Sequence, residues 1–440
     1  MITQDYKNLA QWALKYALDK GCSDARISVY NGTDNSFEYR DTRLDKLQQS
    51  SQNGMNIRFY VAGRYASFST NRLEKNRLEK FISNGIETTR YLAKDEFRKL
   101  PDPSRFYKGD GKGLNIFDGS VEKISAEDKL ALLKNNVNEV YKTDERVISV
   151  TSNYSDGTNS SYAVTSNGFE GESETTYFEL GAEVSMKGPG DARPSDGWYD
   201  SAVFWENLQK KNLGKTAFDR TVRKLHQEKI ESGTFPMLLD NLSSSRLFYP
   251  LISALTGGAI QQKSSFLVNK LGEKIASEKL TLIDDPHIRN ARGARWFDGE
   301  GVATKKYNII EKGVLNMYYI DTYYGGKLKM EPTIQSPSVL TLPTSSNNNF
   351  DQILAKLDKG IWVTGFNGGN SNETTGDFSF GIEGFLVEKG IAVKPINEMN
   401  ITGNILTLLN NILEIGNDPR TVSSYRIPSL LFDAVSFSGK

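Results

Sequence analysis

Two histidines, His226 and His287, supply all the imidazole in the 440-residue chain, and they stand 61 positions apart. A zinc hydrolase helix carries two His one turn apart, which puts both rings on one face, with a Glu to activate water. That local arrangement is excluded here. His287 falls in IDDPHIRN beside Asp284 and Asp285, a mixed carboxylate and imidazole set; Asp-Pro more commonly builds a solvated turn. Asp298 and Glu300 in FDGEGV alternate by two, a spacing that on a strand points both carboxylates to one side, as a general acid/base pair would require. No third partner for them is evident. There is no G-x-S-x-G elbow, and two histidines leave a serine triad little to draw on. Cys22 is the single cysteine and has no nearby His, so a packed or surface thiol is expected there, not a nucleophile.

Three glycine clusters remain: GDGKG (109–113), TGG (256–258) and GFNGGN (365–370). None has phosphate-loop or dinucleotide spacing between a strand and a helix, so each reads as a turn, with close approach by an extended ligand left open at the last two. The longer stretch GFNGGNSNETTGDFSFG offers many neutral hydrogen-bonding groups and few charges, the set that recognition of a peptide main chain would use. Asn367, Gly368, Gly369 and Asn370 are therefore candidate substrate contacts.

The elements that must position these residues read as α+β. Residues 4–19 place Leu9, Trp12, Ala13, Tyr16 and Ala17 at helical spacing, with Thr3 as N-cap and Gly21 beyond the end. Strands are expected at 25–30 and 36–41, then a hairpin MNIRFYV/RYASFST across Ala62-Gly63, then a helix over about 71–92. The Pro-, Gly- and charge-rich LPDPSRFYKGDGKG marks a boundary. A further helix at 126–142, capped by Ser125, again leads into strands, and CSDARISVY and TDERVISVT occupy like places, which suggests an internal duplication of helix-plus-sheet units. A helical region at about 203–230 leads into a β-rich last part. Its hairpins turn at Glu311-Lys312-Gly313 and Glu388-Lys389-Gly390, and its few helices include DQILAKL and 401–413. The expected division is 1–108, 109–230 and 231–440.

Lys plus Arg equals Asp plus Glu at 54 each, so no global charge draws the chain to nucleic acid or an anionic membrane. The apolar uncharged run Leu247 to Gln262 is 16 residues with Pro250 inside it, too short and too broken to span a bilayer. One cysteine and an N-terminus without a signal-like apolar core lead us to expect a cytoplasmic protein.

The run ALTGGAIQQKSSFLVNKLGEKI, then LTLIDDPH, FDGEGVATKKYNIIEKGVL, TGDFSFGIEGFLVEKGIAVKPINEMNITGNIL and GND (416–418) resembles the TldD/PmbA family, also described as modulators of DNA gyrase, in order and spacing. The resemblance extends more loosely over nearly the whole chain. It implies two branches: TldD-type zinc peptidase subunits with ligands on a His-Glu helix and a late cysteine, and PmbA/TldE-type subunits that lack these and pair with TldD. The equivalent helix here, RLFYPLISALTGG from Arg246, has neither His nor Glu, and the late cysteine position falls near Ile427. The resemblance therefore implies a non-catalytic PmbA/TldE-like subunit with no cofactor or metal of its own, zinc belonging to a TldD-like partner, and an enclosed peptide substrate. It places Gln262 and Lys263 near the partner or the substrate path. Leu247, Leu251, Ile252 and Leu255 form the apolar face of that helix, and Gly257-Gly258 are expected to end it. The rival readings are a self-standing metal-dependent hydrolase using Asp298, Glu300 or His287, and a regulatory binding protein linked to DNA gyrase or a toxin-antitoxin pair. A homodimer is the alternative to the heterodimer, because both branches share one fold.

Overall fold

In the computed structural model, which describes residues 2–440, Thr3 accepts a hydrogen bond from the Tyr6 N–H and caps helix α1 (Gln4–Asp19). The chain then runs β1 (Asp24–Arg40), β2 (Arg43–Val61), β3 (Arg64–Thr70) and α2 (Lys75–Thr89). It repeats this order as α3 (Ala126–Asn138), β4 (Val147–Thr165), β5 (Glu170–Met186), β6 (Ser195–Ala202) and α4 (Leu213–Arg223). All six strands join in one antiparallel sheet of order β3-β2-β1-β4-β5-β6. The residues assigned above to 1–108 and 109–230 thus give three strands each to a single sheet.

The duplication extends to the strand register: Asp24 opposite Tyr60 recurs as Ser149 opposite Ser185, an offset of 125 residues on both strands. The similar ISV triplets at 27–29 and 148–150 are therefore not the equivalent residues, and Ile27 is buried whereas Ile148 is exposed. Where the halves meet, Asn31-Gly32-Thr33 matches Asp156-Gly157-Thr158, and the Thr33 and Thr158 hydroxyls hydrogen-bond at 2.9 Å. A Cβ on Gly157 would lie 2.4 Å from the Thr33 carbonyl oxygen, so the strands can approach here because both residues are glycine. Instead of two short strands, 25–30 and 36–41 form one 17-residue strand through this point.

Ile27, Val29 and Phe37 alternate on one face of β1, where α1 and α2 cover one half and α3 and α4 the other. Between them the Lys129 ammonium meets the fully buried Asp156 carboxylate at 2.6 Å, and Tyr154 and Asn35 also donate to that carboxylate. Ser125 and Asp128 form a capping box at the start of α3.

The remainder is β-rich, as expected. After β7 (Gly233–Leu239) come α5 (Phe248–Ala254) and α6 (Gly257–Gln261), then β8 (Leu282–Asp284), β9 (Tyr307–Glu311), β10 (Val314–Leu315), α7 (Thr322–Leu328) and β11 (Leu340–Thr341). There follow α8 (Phe350–Leu354), β12 (Lys359–Phe366), β13 (Asn370–Ser371), β14 (Asp377–Glu388), β15 (Ile391–Asn404), α9 (Ile405–Asn410), β16 (Ile412–Ile415), β17 (Tyr425–Arg426) and β18 (Leu430–Ser438). Strands β12, β7, β18, β15 and β14 close into a small barrel because β14 pairs back onto β12. A second sheet has the order β10-β9-β8-β11-β17. Lys312-Gly313 and Lys389-Gly390 both adopt left-handed φ, 47° and 82° then 50° and 75°, as does Ala62-Gly63, the turn chemistry that two-residue hairpins need. The segment 401–413 is not one helix: β15 continues to Asn404, whose side chain caps the short α9, and β16 follows. The helical regions at 71–92 and 203–230 are likewise shorter, at α2 and α4. No helix among the described residues is long and apolar enough to cross a membrane.

Candidate functional site

The site is built on the turn that follows β7. The Asp240 carboxyl accepts the Ser243 N–H at 3.1 Å and its carbonyl accepts the Ser244 N–H at 2.9 Å, which starts a 3₁₀ turn over Ser244–Leu247 that runs into α5. Burial pushes Asp240 up to about 7, while Arg220 and the local N–H groups pull it down. Leu247, Phe248, Leu251, Ile252 and Leu255 are buried in the C-terminal core. Pro250 lies in the first turn of α5, where its missing N–H has no helical partner to lose. Gly257-Gly258 do not end this helix. Thr256 caps a new one, α6, and the Gly257 N–H donates to the Tyr319 carbonyl at 2.8 Å. The glycine is needed for contact, since a Cβ on Gly257 would lie 2.8 Å from the Tyr324 Cβ.

Arg246, Tyr249 and Ser253 occupy the opposite face of this stretch and line a cavity of about 320 Å³. Its other wall is β13 and the loop after it, with Gly369, Asn370, Ser371 and Glu373. β13 is the outer strand beside β14, Asn370 standing opposite Ser379. Gly368 and Gly369 have φ of 83° and 98°, and a Cβ on Gly369 would meet the Ser379 carbonyl oxygen at 2.2 Å, so only glycine lets the loop lie this close. Ser253 donates its hydroxyl to the Glu373 carboxylate at 2.6 Å, tying helix to loop. The Arg246 guanidinium lies 5.4 Å from the centre of the Phe380 ring.

Gly369 and Asn370 therefore line the cavity. Gly368 forms the preceding left-handed turn, and Asn367 donates instead to the Asn397 side chain at 3.0 Å. Gln262 closes the C-terminal end of α6 and Lys263 follows with φ 56°, both outside the cavity lining. The sequence reading missed Arg246, Tyr249, Ser253 and Glu373; the signal for the first three was the helical spacing of polar residues opposite the apolar face, and Glu373 lies in the loop after β13.

The carboxylates of FDGEGV are not paired on a strand. Asp298 folds the segment into a turn, accepting N–H groups of Glu300 and Val302 at one oxygen and of Gln335 at the other. Glu300 accepts both the N–H and the hydroxyl of Thr322 at 2.9 Å, and its burial raises its pKa. His287 packs tilted against Trp296, ring centres 4.6 Å apart and planes at 43°, and its Nε2 pairs with the Thr304 hydroxyl at 3.1 Å. Asp284 is buried, accepts the Ser338 and Val339 N–H groups, and is pushed up to about 6 by desolvation.

The helix and the segment carrying Ile427 remain in contact. The Ser244 hydroxyl donates to the Ile427 carbonyl at 2.9 Å, and the Tyr249 and Tyr425 rings lie 5.0 Å apart. Ile427 itself is buried in the core. The side chains presented to the cavity by the helix are thus a guanidinium, a phenol, a proline and a hydroxyl, which do not fit a zinc ion. Among the described residues no three His, Cys, Asp or Glu are grouped so as to hold a metal.

The first, central and C-terminal domain models of the PmbA/TldA metallopeptidases match residues 25–88, 119–225 and 232–439. The metalloprotease PmbA of Escherichia coli O157:H7 is 26% identical over 443 aligned positions, covering 99% of this chain and 97% of that one. A crystal structure from Bacteroides thetaiotaomicron, described as a candidate modulator of DNA gyrase, is 52% identical with a TM-score of 0.97 and full coverage of both chains. TldE from Thermococcus kodakarensis shares the fold, with a TM-score of 0.85 at 20% identity over 99% of this chain and all of its own. The chain belongs to the PmbA/TldD metallopeptidase family.

Proposed function

We propose that this chain is a PmbA/TldE-like subunit without catalytic groups of its own, which pairs with a TldD-like zinc peptidase and helps enclose its peptide substrate. The observation that carries this reading is the helix-and-loop cavity: α5 packs as a site helix would, against the Tyr425–Ile427 segment, yet shows Arg246, Tyr249 and Ser253 where a metal site needs His, Glu or Cys. Asn370, Ser371 and the exposed edge of β13 supply neutral donors and acceptors suited to an extended main chain. The alternative residues of a self-standing hydrolase, Asp298 and Glu300, are committed to backbone N–H groups in turns. Co-expression with a tagged TldD-type chain tests the pairing. The reading expects both chains to elute as one stoichiometric complex in size exclusion; separate elution at micromolar concentration contradicts it.

A further inference from the structure

The cavity between α5 and β13 has a charge at each end. Arg246 contributes a guanidinium that lies over the ring of Phe380, and Glu373 contributes a carboxylate of which one oxygen accepts the Ser253 hydroxyl. Arg246 and Ser253 are seven residues apart along the 3₁₀ turn and α5, which at about 2 Å rise per residue in the first and about 1.5 Å in the second sets their Cα atoms about 11 Å apart along the axis. An extended chain rises about 3.4 Å per residue, so that distance is the span of about three residues. Between the ends lie Asn370 and Ser371 on the outer strand, the groups a short main chain would pair with.

We infer that this cavity binds a short peptide of about three residues by both its termini, the α-carboxylate on Arg246 and the α-ammonium on Glu373, with its backbone laid against β13. A guanidinium binds a carboxylate through two parallel N–H···O bonds, and each charge-assisted contact exceeds a neutral one in strength. The volume of about 320 Å³ suits a ligand of this size and leaves no room for a folded chain. Tyr249 and Phe380 add two aromatic rings to the lining, against which small side chains can pack. The ligand class is thus peptides with free ends, which makes the site one for products or trimmed substrates. The inference rests on the peptide-enclosing reading above and sharpens it.

The test is calorimetric titration of the full chain with trialanine, N-acetyl-trialanine, trialanine amide and hexaalanine. Trialanine is expected to bind, with each blocked form weaker by about tenfold or more, since one charge-assisted hydrogen bond is worth about that factor. Arg246→Gln is expected to abolish the discrimination between acid and amide while keeping that between amine and acetyl; Glu373→Gln is expected to do the reverse. Both side chains are exposed, and thermal melting checks that each variant folds. Equal binding of all four peptides by the wild type overturns the inference, as does no binding, or unaltered discrimination in both variants. If end discrimination is absent while a complex with a TldD-type chain still forms and cleaves a long peptide, the two-ended site fails and the subunit reading stands. If the complex does not form, the subunit reading fails independently of the titration.

Discussion

Asp240 makes the turn that launches α5, and its buried carboxyl forms no ion pair among the described residues. Burial favours the neutral acid and raises the folded pKa from the ordinary 3.8 to about 7. The sign follows: a raised carboxyl pKa gives stability that is complete below the unfolded value and is lost as pH climbs through the folded one. Between pH 5 and pH 8 about two pKa units of that loss accrue, or about 3 kcal/mol at about 1.4 kcal/mol per unit. Asp240→Asn keeps an oxygen for the Ser243 N–H and removes the ionisation. The variant is expected to gain stability relative to wild type as pH rises, by about 3 kcal/mol between pH 5 and pH 8, with the pH 5 values much closer. Urea unfolding at the two pH values, followed by tryptophan fluorescence, measures the difference. Parallel pH dependence in the two proteins would refute the assignment of a neutral Asp240, and an Asn variant that loses ground at pH 8 would show that Arg220 holds the carboxylate ionised.

Three further substitutions follow from the packing. Lys129→Met leaves the fully buried Asp156 without its cation and is expected to lower stability by about 3–5 kcal/mol, read as a drop in the urea midpoint of the N-terminal sheet; no shift would mean that Tyr154 and Asn35 satisfy the carboxylate alone. Gly257→Ala drives a Cβ towards Tyr324 and is expected to cost about 1–3 kcal/mol, measured as a lower melting temperature. Ser125→Ala removes the capping box of α3 and is expected to cost about 1 kcal/mol, measured in the same way.

Much of the fold was legible wherever a local rule acted alone. Helix α1 follows from Thr3 and its apolar spacing, and the hairpins at Ala62-Gly63, Lys312-Gly313 and Lys389-Gly390 follow from turn chemistry. The long central strands were not, because Asn31-Gly32-Thr33 and Asp156-Gly157-Thr158 carry turn-type residues at the one place where two strands need glycine to approach. The duplication showed in the order of elements, whereas the matching ISV triplets suggested an offset four residues away from the true register. Gly257-Gly258 read as a helix stop for the same reason: what they serve is a contact with Tyr319 and Tyr324, more than 60 residues later. Asp298 and Glu300 had strand spacing, but the N–H groups that fold them into turns come partly from Gln335 and Thr322. The cavity shows the same limit. Asn370 and Gly369 were visible as an unusual loop, but Arg246 and Ser253 gain meaning only when β13 is folded against them.

Under the proposed function this chain serves a peptidase without being one. Hydrolysis of a casein digest by this chain alone, by a TldD-type chain alone, and by the two together, each with and without a metal chelator, tests that role. Turnover is expected in the mixture, abolished by the chelator, and none from this chain by itself. Chelator-sensitive turnover by this chain alone, lost on substitution of Asp298, Glu300 or His287, would contradict it.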